Sequence, residues 1–73
     1  MTTITDPESM ATEIMGRLTG HARDDARLWS SRGKCRIYFA RACIELYADG
    51  SVDVGSNPYG VSKIVDELGY RVR

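Results

Sequence analysis

The chain contains few of the residues on which catalytic and metal sites depend: one histidine, two cysteines, one tryptophan and one phenylalanine among 73 residues. His21 and the two thiols are too few for a closed zinc site built from cysteine and histidine. His21 also lacks a neighbouring serine or cysteine in a spacing typical of a nucleophile. We therefore expect no catalytic residue, no cofactor and no metal, and predict that the protein is not an enzyme.

Long apolar runs are also absent. No segment is apolar for long enough to span a bilayer, and the chain does not begin with basic residues followed by an apolar stretch. We expect a cytoplasmic protein with no membrane partner. The length predicts one small domain over residues 1–73, of which residues 1–5 are expected to be flexible.

Residues 34–55 predict three short strands joined by two turns. At the second turn, a three-residue loop over residues 48–50 pairs Leu46 with Val52, whereas a two-residue loop would mix apolar and polar residues on both faces. We therefore predict the longer loop, with Gly50 at its left-handed position.

At the first turn, around residues 40–41, the pairing of Ile37 with Ile44 likewise keeps the apolar residues on one face. The resulting sheet has one apolar and one polar face, which is typical of an antiparallel sheet with one side in solvent. The apolar face is predicted to carry Cys35, Ile37, Phe39, Ile44, Leu46, Val52 and Val54, and the polar face Lys34, Arg36, Tyr38, Cys43, Glu45, Tyr47, Ser51 and Asp53.

A C-terminal helix is predicted to run from Pro58 to Leu68. Asn57 suits its N-cap, proline suits a first helical position, and Gly69 suits the stop. Residues 70–73 are expected to add a short edge strand. The apolar residues that recur with helical spacing are Val61, Ile64, Val65 and Leu68.

The N-terminal third also predicts helix. Thr5 and Glu8 fit a capping box, so a helix should begin near Asp6. Residues 6–31 form either one helix or two; a break at residues 19–20 favours a second, shorter helix over residues 21–29. The first helix carries an apolar stripe of Met10, Ala11, Ile14, Met15 and Leu18.

These elements predict an α+β fold: a three-stranded antiparallel β-meander with an N-terminal helix, or two short helices, and a C-terminal helix on one face, in the order α(α)-β-β-β-α. This order resembles that of the double-stranded-RNA-binding domain. That family begins its last helix with a run of lysines aimed at phosphates, whereas here Lys63 is followed by Asp66 and Glu67. The resemblance therefore implies a shared topology without a shared site.

Charge is distributed unevenly although the net charge is zero. Residues 17–41 contain seven basic and two acidic residues, a local charge of +5. Arginine binds carboxylate and phosphate bidentately, and arginine and tyrosine are favoured anchors of interfaces. The alternative is a solvated face with local ion pairs. The candidate partner-binding residues are Arg32, Lys34, Arg36, Tyr38, Arg41 and Tyr47.

Two further constellations are interpreted as structural. Glu45 and Asp53 should be neighbours on the polar face, where Arg36 beside them favours a row of ions over an acid-base pair. Cys35 and Cys43 should lie on opposite faces of the sheet, so both are expected to be free thiols.

The pattern as a whole predicts a small protein-interaction or inhibitory module that docks on an acidic or nucleic-acid-binding partner. Its general profile is similar to that of the inhibitors made by phages and mobile elements. The alternative is direct binding of nucleic acid through the arginine and tyrosine residues of the sheet face. A protein partner is expected first and nucleic acid second, and a homodimer is left open.

Overall fold

Three α-helices and a five-stranded sheet make up the part of the chain that this computed structural model describes, residues 6–32 and 34–73. The helices lie on one face of the sheet, as predicted. In chain order the elements are α1 (Pro7–Arg17), α2 (Gly20–Asp25), β1 (Arg27–Ser31), β2 (Lys34–Tyr38), β3 (Cys43–Leu46), β4 (Ser51–Asp53), a 3-10 turn (Pro58–Gly60), α3 (Val61–Glu67) and β5 (Arg71–Val72).

The predicted α+β class and the three-stranded meander are confirmed. β2 pairs with β3 so that Ile37 lies opposite Ile44, and β3 pairs with β4 so that Leu46 lies opposite Val52. The strand order is β1-β2-β3-β4-β5, with antiparallel pairs except for the parallel pair β4 and β5. The sheet thus extends the predicted meander by one strand at each edge.

The loop between β3 and β4 has the predicted three residues. The backbone N–H of Tyr47 donates to the carbonyl of Ser51 at 3.0 Å, which closes the loop. Gly50 adopts a φ of 86°, a left-handed conformation that favours glycine. This bulge sets the register that directs Leu46 and Val52 into the core.

The hydrophobic core lies between this sheet and the helices. All seven residues predicted for the apolar face of the sheet are buried, as are four of the five in the α1 stripe. Burying one such aliphatic side chain contributes about 1.5–3 kcal/mol. The core consists of Met10, Ala11, Ile14, Leu18, Ala22, Ala26, Cys35, Ile37, Phe39, Ile44, Leu46, Val52, Val54, Val61 and Val65.

Helix α1 begins at Pro7 with Asp6 as its N-cap. The Asp6 carboxylate accepts a hydrogen bond from the backbone N–H of Glu8 at 3.2 Å. Thr5, the predicted capping residue, lies outside the described residues. The predicted break at residues 19–20 is present, because α1 ends at Arg17 and α2 begins at Gly20.

The prediction that the second helix continues to Trp29 is wrong. Helix α2 ends at Asp25, and residues 27–31 form β1, which pairs with β2 along its whole length. The connection is a two-residue turn, since Ser31 lies opposite Lys34. Pairing with β2 supplies the backbone partners that a longer helix would have provided within itself.

Helix α3 begins one turn later than predicted, at Val61 instead of Pro58. The residues before it leave helical geometry, because Tyr59 and Gly60 both have positive φ values. The Asn57 side chain still caps the helix, as its Oδ1 accepts from the backbone N–H of Ser62 at 2.9 Å. The entry to α3 is therefore a left-handed loop and not a regular first turn.

The end of α3 and strand β5 follow the prediction. The N–H groups of Gly69 and Tyr70 donate to the carbonyls of Asp66 and Val65, the two bonds that end a helix at a glycine. β5 then runs beside β4, where the Arg71 N–H donates to the Gly50 carbonyl at 2.9 Å.

Candidate functional site

The face of the sheet opposite the helices, called the open face below, carries the predicted polar residues. The pairing registers align one residue from each of four strands into a row: Trp29 of β1, Arg36 of β2, Glu45 of β3 and Asp53 of β4. Side chains directly opposite in antiparallel strands are close enough to contact each other. The row therefore places an aromatic ring, a cation and two carboxylates side by side.

Arg36 is the centre of this row. Its guanidinium carbon lies 5.5 Å from the centre of the Trp29 ring, and its Nη1 donates to the Tyr38 hydroxyl at 3.1 Å. Its Nε is shielded from solvent and lies 3.3 Å from Glu45 Oε2. Because the two atoms are not aligned for a hydrogen bond, this contact is an ion pair. The hydrogen bond to Tyr38 and the charge of Glu45 raise the pKa of Arg36.

We call these four residues, Trp29, Arg36, Tyr38 and Glu45, the Arg36 cluster. Its two aromatic side chains remain accessible, with Trp29 43% exposed and Tyr38 38% exposed. The Arg36 guanidinium contacts the Trp29 ring and the Tyr38 hydroxyl at the same time, and so links the two aromatic side chains. The cluster is an ordered surface feature that links three strands.

Trp29 is the residue of this cluster that sequence reasoning missed. Its spacing from Ala22 and Ala26 fits a helical stripe, which is why it was assigned to the second helix. The opposing signal was weak: a glycine follows Arg32, but of residues 27–31 only Trp29 is of a type enriched in strands. Arg32 has a φ of 47°, as tight hairpin turns require, but Arg-Gly is not among the dipeptides usually used to recognise them.

The β1–β2 hairpin is the most basic part of the chain. Residues 26–44 contain five basic residues and no aspartate or glutamate. One of the five is directed away from the open face, since the Arg27 guanidinium donates to the carbonyls of Asp24 and Ala26. Arg32 and Lys34 are exposed at the hairpin turn, and Arg36 lies in the cluster. Positive charge is thus concentrated at one end of the open face.

The predicted site residue Tyr47 lies in a different environment. The Arg73 guanidinium is stacked on its ring at 3.7 Å, and Arg73 Nε donates to the Ser51 hydroxyl at 2.8 Å. This cover explains why Ser51 is only 3% exposed, although it was predicted to face solvent. Asp49 pairs with Arg73 and with Arg71 at 3.5 and 3.4 Å. The C-terminal residues therefore close this end of the open face.

Arg41 lies at the opposite end of β2 from Arg32. It lines a cleft of about 330 Å³ between the β2–β3 loop and the loop before α3. In this cleft the Asp25 carboxylate accepts from the Ala40 N–H and the Tyr59 hydroxyl, both at 2.9 Å, and these bonds lower its pKa. The whole of β2, five residues or about 17 Å of strand, lies between the two arginines.

The structure thus brings together three of the six predicted site residues. Lys34, Arg36 and Tyr38 alternate along one side of β2, with Arg32 at the adjoining turn. Arg41 belongs to the cleft, and Tyr47 lies under Arg73.

The described residues offer little for catalysis or metal binding. Glu45 and Asp53 are neighbours as predicted, but Glu45 pairs with Arg36 and Asp53 accepts from the Gly55 N–H at 3.0 Å. Within residues 6–32 and 34–73, no three histidine, cysteine or acidic side chains gather as metal ligands. None of the helices in this part of the chain is long and apolar enough to cross a membrane.

Comparison with known proteins identifies no relative of this chain. No protein-family model, no curated protein and no solved structure matches the chain. The likeness in topology to the double-stranded-RNA-binding domain therefore carries no functional argument, and function has to be inferred from the open face itself.

Proposed function

We propose that the protein is a non-enzymatic binding module that docks through the open face onto an acidic surface of a partner protein. The Arg36 cluster is the observation that supports this most directly. Tryptophan, tyrosine and arginine are the residue types in which interface binding energy concentrates, and here Arg36 contacts both Trp29 and Tyr38. Because the cluster is already ordered, binding costs less side-chain entropy than binding through free side chains.

The charge distribution favours an acidic partner. Arg32, Lys34 and Arg36 lie on the hairpin at the edge of the open face, whereas the helical side of the molecule exposes acidic residues. Such a separation of charge orients the molecule toward an acidic surface and raises its association rate. The exposed acidic residues of the helical side are Asp6, Glu8, Glu13, Asp24, Asp66 and Glu67, against the exposed basic residues Arg17, Arg23 and Lys63.

An inhibitory role follows from the same docking. A module that covers an acidic surface excludes any other ligand that uses that surface, basic ligands above all. The proposal therefore includes inhibition of the partner, in the manner of small inhibitors made by phages and mobile elements. A cytoplasmic location is part of the same proposal.

Direct binding of nucleic acid is the second candidate, because Trp29 and Tyr38 expose ring surface beside cations on a sheet. We rank it second for two reasons. The Arg36 guanidinium lies over the Trp29 ring, where a base would have to stack. Glu45 and Asp53 also add negative charge to the same row, which opposes binding of phosphates.

The test begins with capture of partners from the native host, followed by measurement of affinity for the identified partner. Replacement of Trp29, Arg36 or Tyr38 with alanine should each weaken binding by about 30-fold or more, since interface anchors contribute about 2 kcal/mol apiece. Arg36→Lys should also weaken binding, because lysine keeps the charge but lacks the planar group that contacts the Trp29 ring and the Tyr38 hydroxyl together.

Asp66→Ala and Glu67→Ala are the matched controls, since both residues are exposed on the helical side. Both should bind as tightly as the parent. Circular dichroism and thermal melts establish that each variant is folded. A folded triple variant of the three cluster residues that binds as well as the parent would contradict the proposal.

Salt dependence separates the two candidates. A nucleic-acid complex should lose about one log unit of affinity per log unit of salt for each phosphate contacted. Steep loss of affinity for single strands or duplex, together with no captured protein, would favour nucleic-acid binding.

A further inference from the structure

Strand β1 forms an edge of the sheet that is accessible along its whole length. All five of its residues are exposed, including Leu28 at 41% and Trp29 at 43%. Among residues 6–32 and 34–73, β2 is the one strand that pairs with it, so its outer side has no strand partner. An edge of this length is a template for pairing with another strand.

β1 lacks the features by which proteins usually protect an edge. It contains no proline, and its register with β2 is continuous over residues 27–31, without a bulge. Its one charged residue, Arg27, is bent back onto the carbonyls of Asp24 and Ala26. The other edge strand, β5, has only two residues, and Arg71 there pairs with Asp49.

The hairpin geometry shows which backbone groups point outward from β1. In a hairpin with a two-residue loop, the closing pair is hydrogen bonded, and hydrogen-bonded pairs then alternate along the strands. Ser31, Trp29 and Arg27 accordingly bond to β2. The N–H and C=O groups of Leu28 and Ser30 point to the outer side, where a further strand would receive them.

We propose that this edge pairs with β1 of a second copy of the chain, antiparallel and centred on Trp29, to form a homodimer with one continuous sheet. In this register Leu28 and the partner's Ser30 exchange two hydrogen bonds, and the symmetry-related pair exchanges two more. Trp29 lies directly opposite the partner's Trp29 on the open face. Aromatic pairs of this kind stabilise antiparallel strands.

Charge and side-chain placement favour a second copy as the occupant. The centred register sets Arg27 opposite the partner's Ser31, so no like charges of the two strands face each other. It also brings the exposed Asp24, at the end of α2, toward the partner's basic turn. The exposed ring of Trp29 is covered by the partner's Trp29, while Leu28, on the other face of the strand, lies opposite the partner's Ser30. The dimer would join the two open faces edge to edge, doubling the surface available to a partner protein.

Sedimentation velocity or light scattering over a range of protein concentrations gives the first measurement. The parent should change reversibly from the mass of one chain to that of two. Ser30→Pro removes an outward N–H from each copy while leaving the pairs with β2 intact, and should raise the dissociation constant of the dimer by about tenfold or more. Val72→Lys, at the exposed opposite edge, is the matched control and should dimerise like the parent.

Disulfide trapping tests the register itself. In a Cys43→Ser background, Trp29→Cys places thiols at the symmetry centre, where opposite Cα atoms are about 4.5 Å apart, and oxidation should yield a covalent dimer. Ser31→Cys moves the thiols to positions about four residues out of register, roughly 13 Å apart, and should yield none.

A parent chain that has the mass of one copy at every concentration would overturn the proposal. A dimer that Ser30→Pro leaves unchanged, in a variant shown to be folded by circular dichroism, would also overturn it. Leu28→Lys is the second variant if the proline destabilises the hairpin, and it should likewise weaken the dimer by charge repulsion at the edge. Trapping through Ser31→Cys but not through Trp29→Cys would show that another register is used.

Discussion

Arg36 shows how much of the open face depends on a single residue. It contacts Trp29 on one neighbouring strand and Glu45 on the other, and it donates to Tyr38 two positions along its own strand. A lysine has neither the planar group nor the several donors that these contacts use at once. The positions of the two exposed rings therefore depend on the contacts of Arg36 as well as on the pairing of the strands.

The two cysteines give a prediction at the same scale. Cys35 is 2% exposed in the core and Cys43 is half-buried on the open face, so the two cysteines lie on opposite faces of the sheet, as predicted. Burial also raises the pKa of the Cys35 thiol, which lowers its thiolate fraction. A thiol reagent should modify Cys43 in the native protein and Cys35 only after unfolding, as mass spectrometry of digested peptides would show. Equal labelling in the native state would contradict the observed register.

At the scale of elements, the loops that begin and end the helices decide where those helices lie. The loop of residues 57–60 delays the start of α3 to Val61, and contacts from other elements hold it there. The Tyr59 hydroxyl donates to Asp25 at the end of α2, and the Tyr59 ring packs against Phe39 with centroids 5.5 Å apart. A short segment with two non-glycine residues of positive φ is thus fixed by tertiary contacts.

Glycine substitutions test this entry to α3. The predicted helix from Pro58 would hold Gly60 inside it, where alanine is neutral or stabilising, whereas the structure places Gly60 before α3 in a left-handed conformation. Gly60 has a φ of 68°, so alanine should lower the free energy of unfolding by about 1–2 kcal/mol through backbone strain alone, since open space surrounds the position. Gly50→Ala, with a φ of 86°, should be destabilising by about the same amount.

Gly16→Ala is the matched control for these substitutions. Gly16 lies within α1, has no atom near the position of an added Cβ and is exposed, so alanine should raise the free energy of unfolding by about 0.5–1 kcal/mol. Urea denaturation of the three variants measures all the changes. If Gly60→Ala stabilises the protein as Gly16→Ala does, α3 begins earlier than Val61.

At the scale of the whole molecule, the C-terminal segment joins elements that are distant in the chain. β5 extends the sheet beside β4, and Arg73 covers Tyr47 and Ser51. On the helical side, the Tyr70 hydroxyl donates to Glu13 Oε2 at 2.7 Å. The last four residues therefore hold α1 and the sheet together.

Alkaline pH should weaken this connection. Burial, together with the hydrogen bond to Glu13, raises the pKa of Tyr70 to about 12 from an ordinary value of 10.0. Since the folded-state pKa is the higher one, the stabilisation is fully present below pH 10 and is lost as the pH rises from about 10 to 12. Tyr70→Phe should lower the free energy of unfolding by up to about 1 kcal/mol at pH 8.

Urea titrations of parent and Tyr70→Phe between pH 8 and pH 12 provide the measurement. The difference between the two should shrink across the upper part of this range. Glu13→Gln is the matched variant, because it removes the charge that helps to raise the tyrosine pKa and should reduce the pH dependence. A constant difference at all pH values would contradict a role for the Tyr70 proton.

The sequence by itself determined the central meander and the buried face. Strand side chains alternate with a period of two, so a slip of one residue would have exposed Ile37 or Ile44. Only one register keeps both residues in the core. The same alternation predicted Lys34, Arg36 and Tyr38 together on the polar face of the sheet. Local pattern was sufficient here because neighbouring segments of the chain pair with each other.

Only the tertiary structure decided the edge of the sheet and the start of α3. Residues 26–31 fit both a helical stripe and a strand, and the available partner, β2, determined the outcome. Trp29 joined the candidate site for that reason alone. The positive φ values before Val61 likewise depend on contacts with residues more than fifteen positions away, Phe39 and Asp25. Local propensities differ too little to decide such segments, so the free energy of long-range pairing decides them.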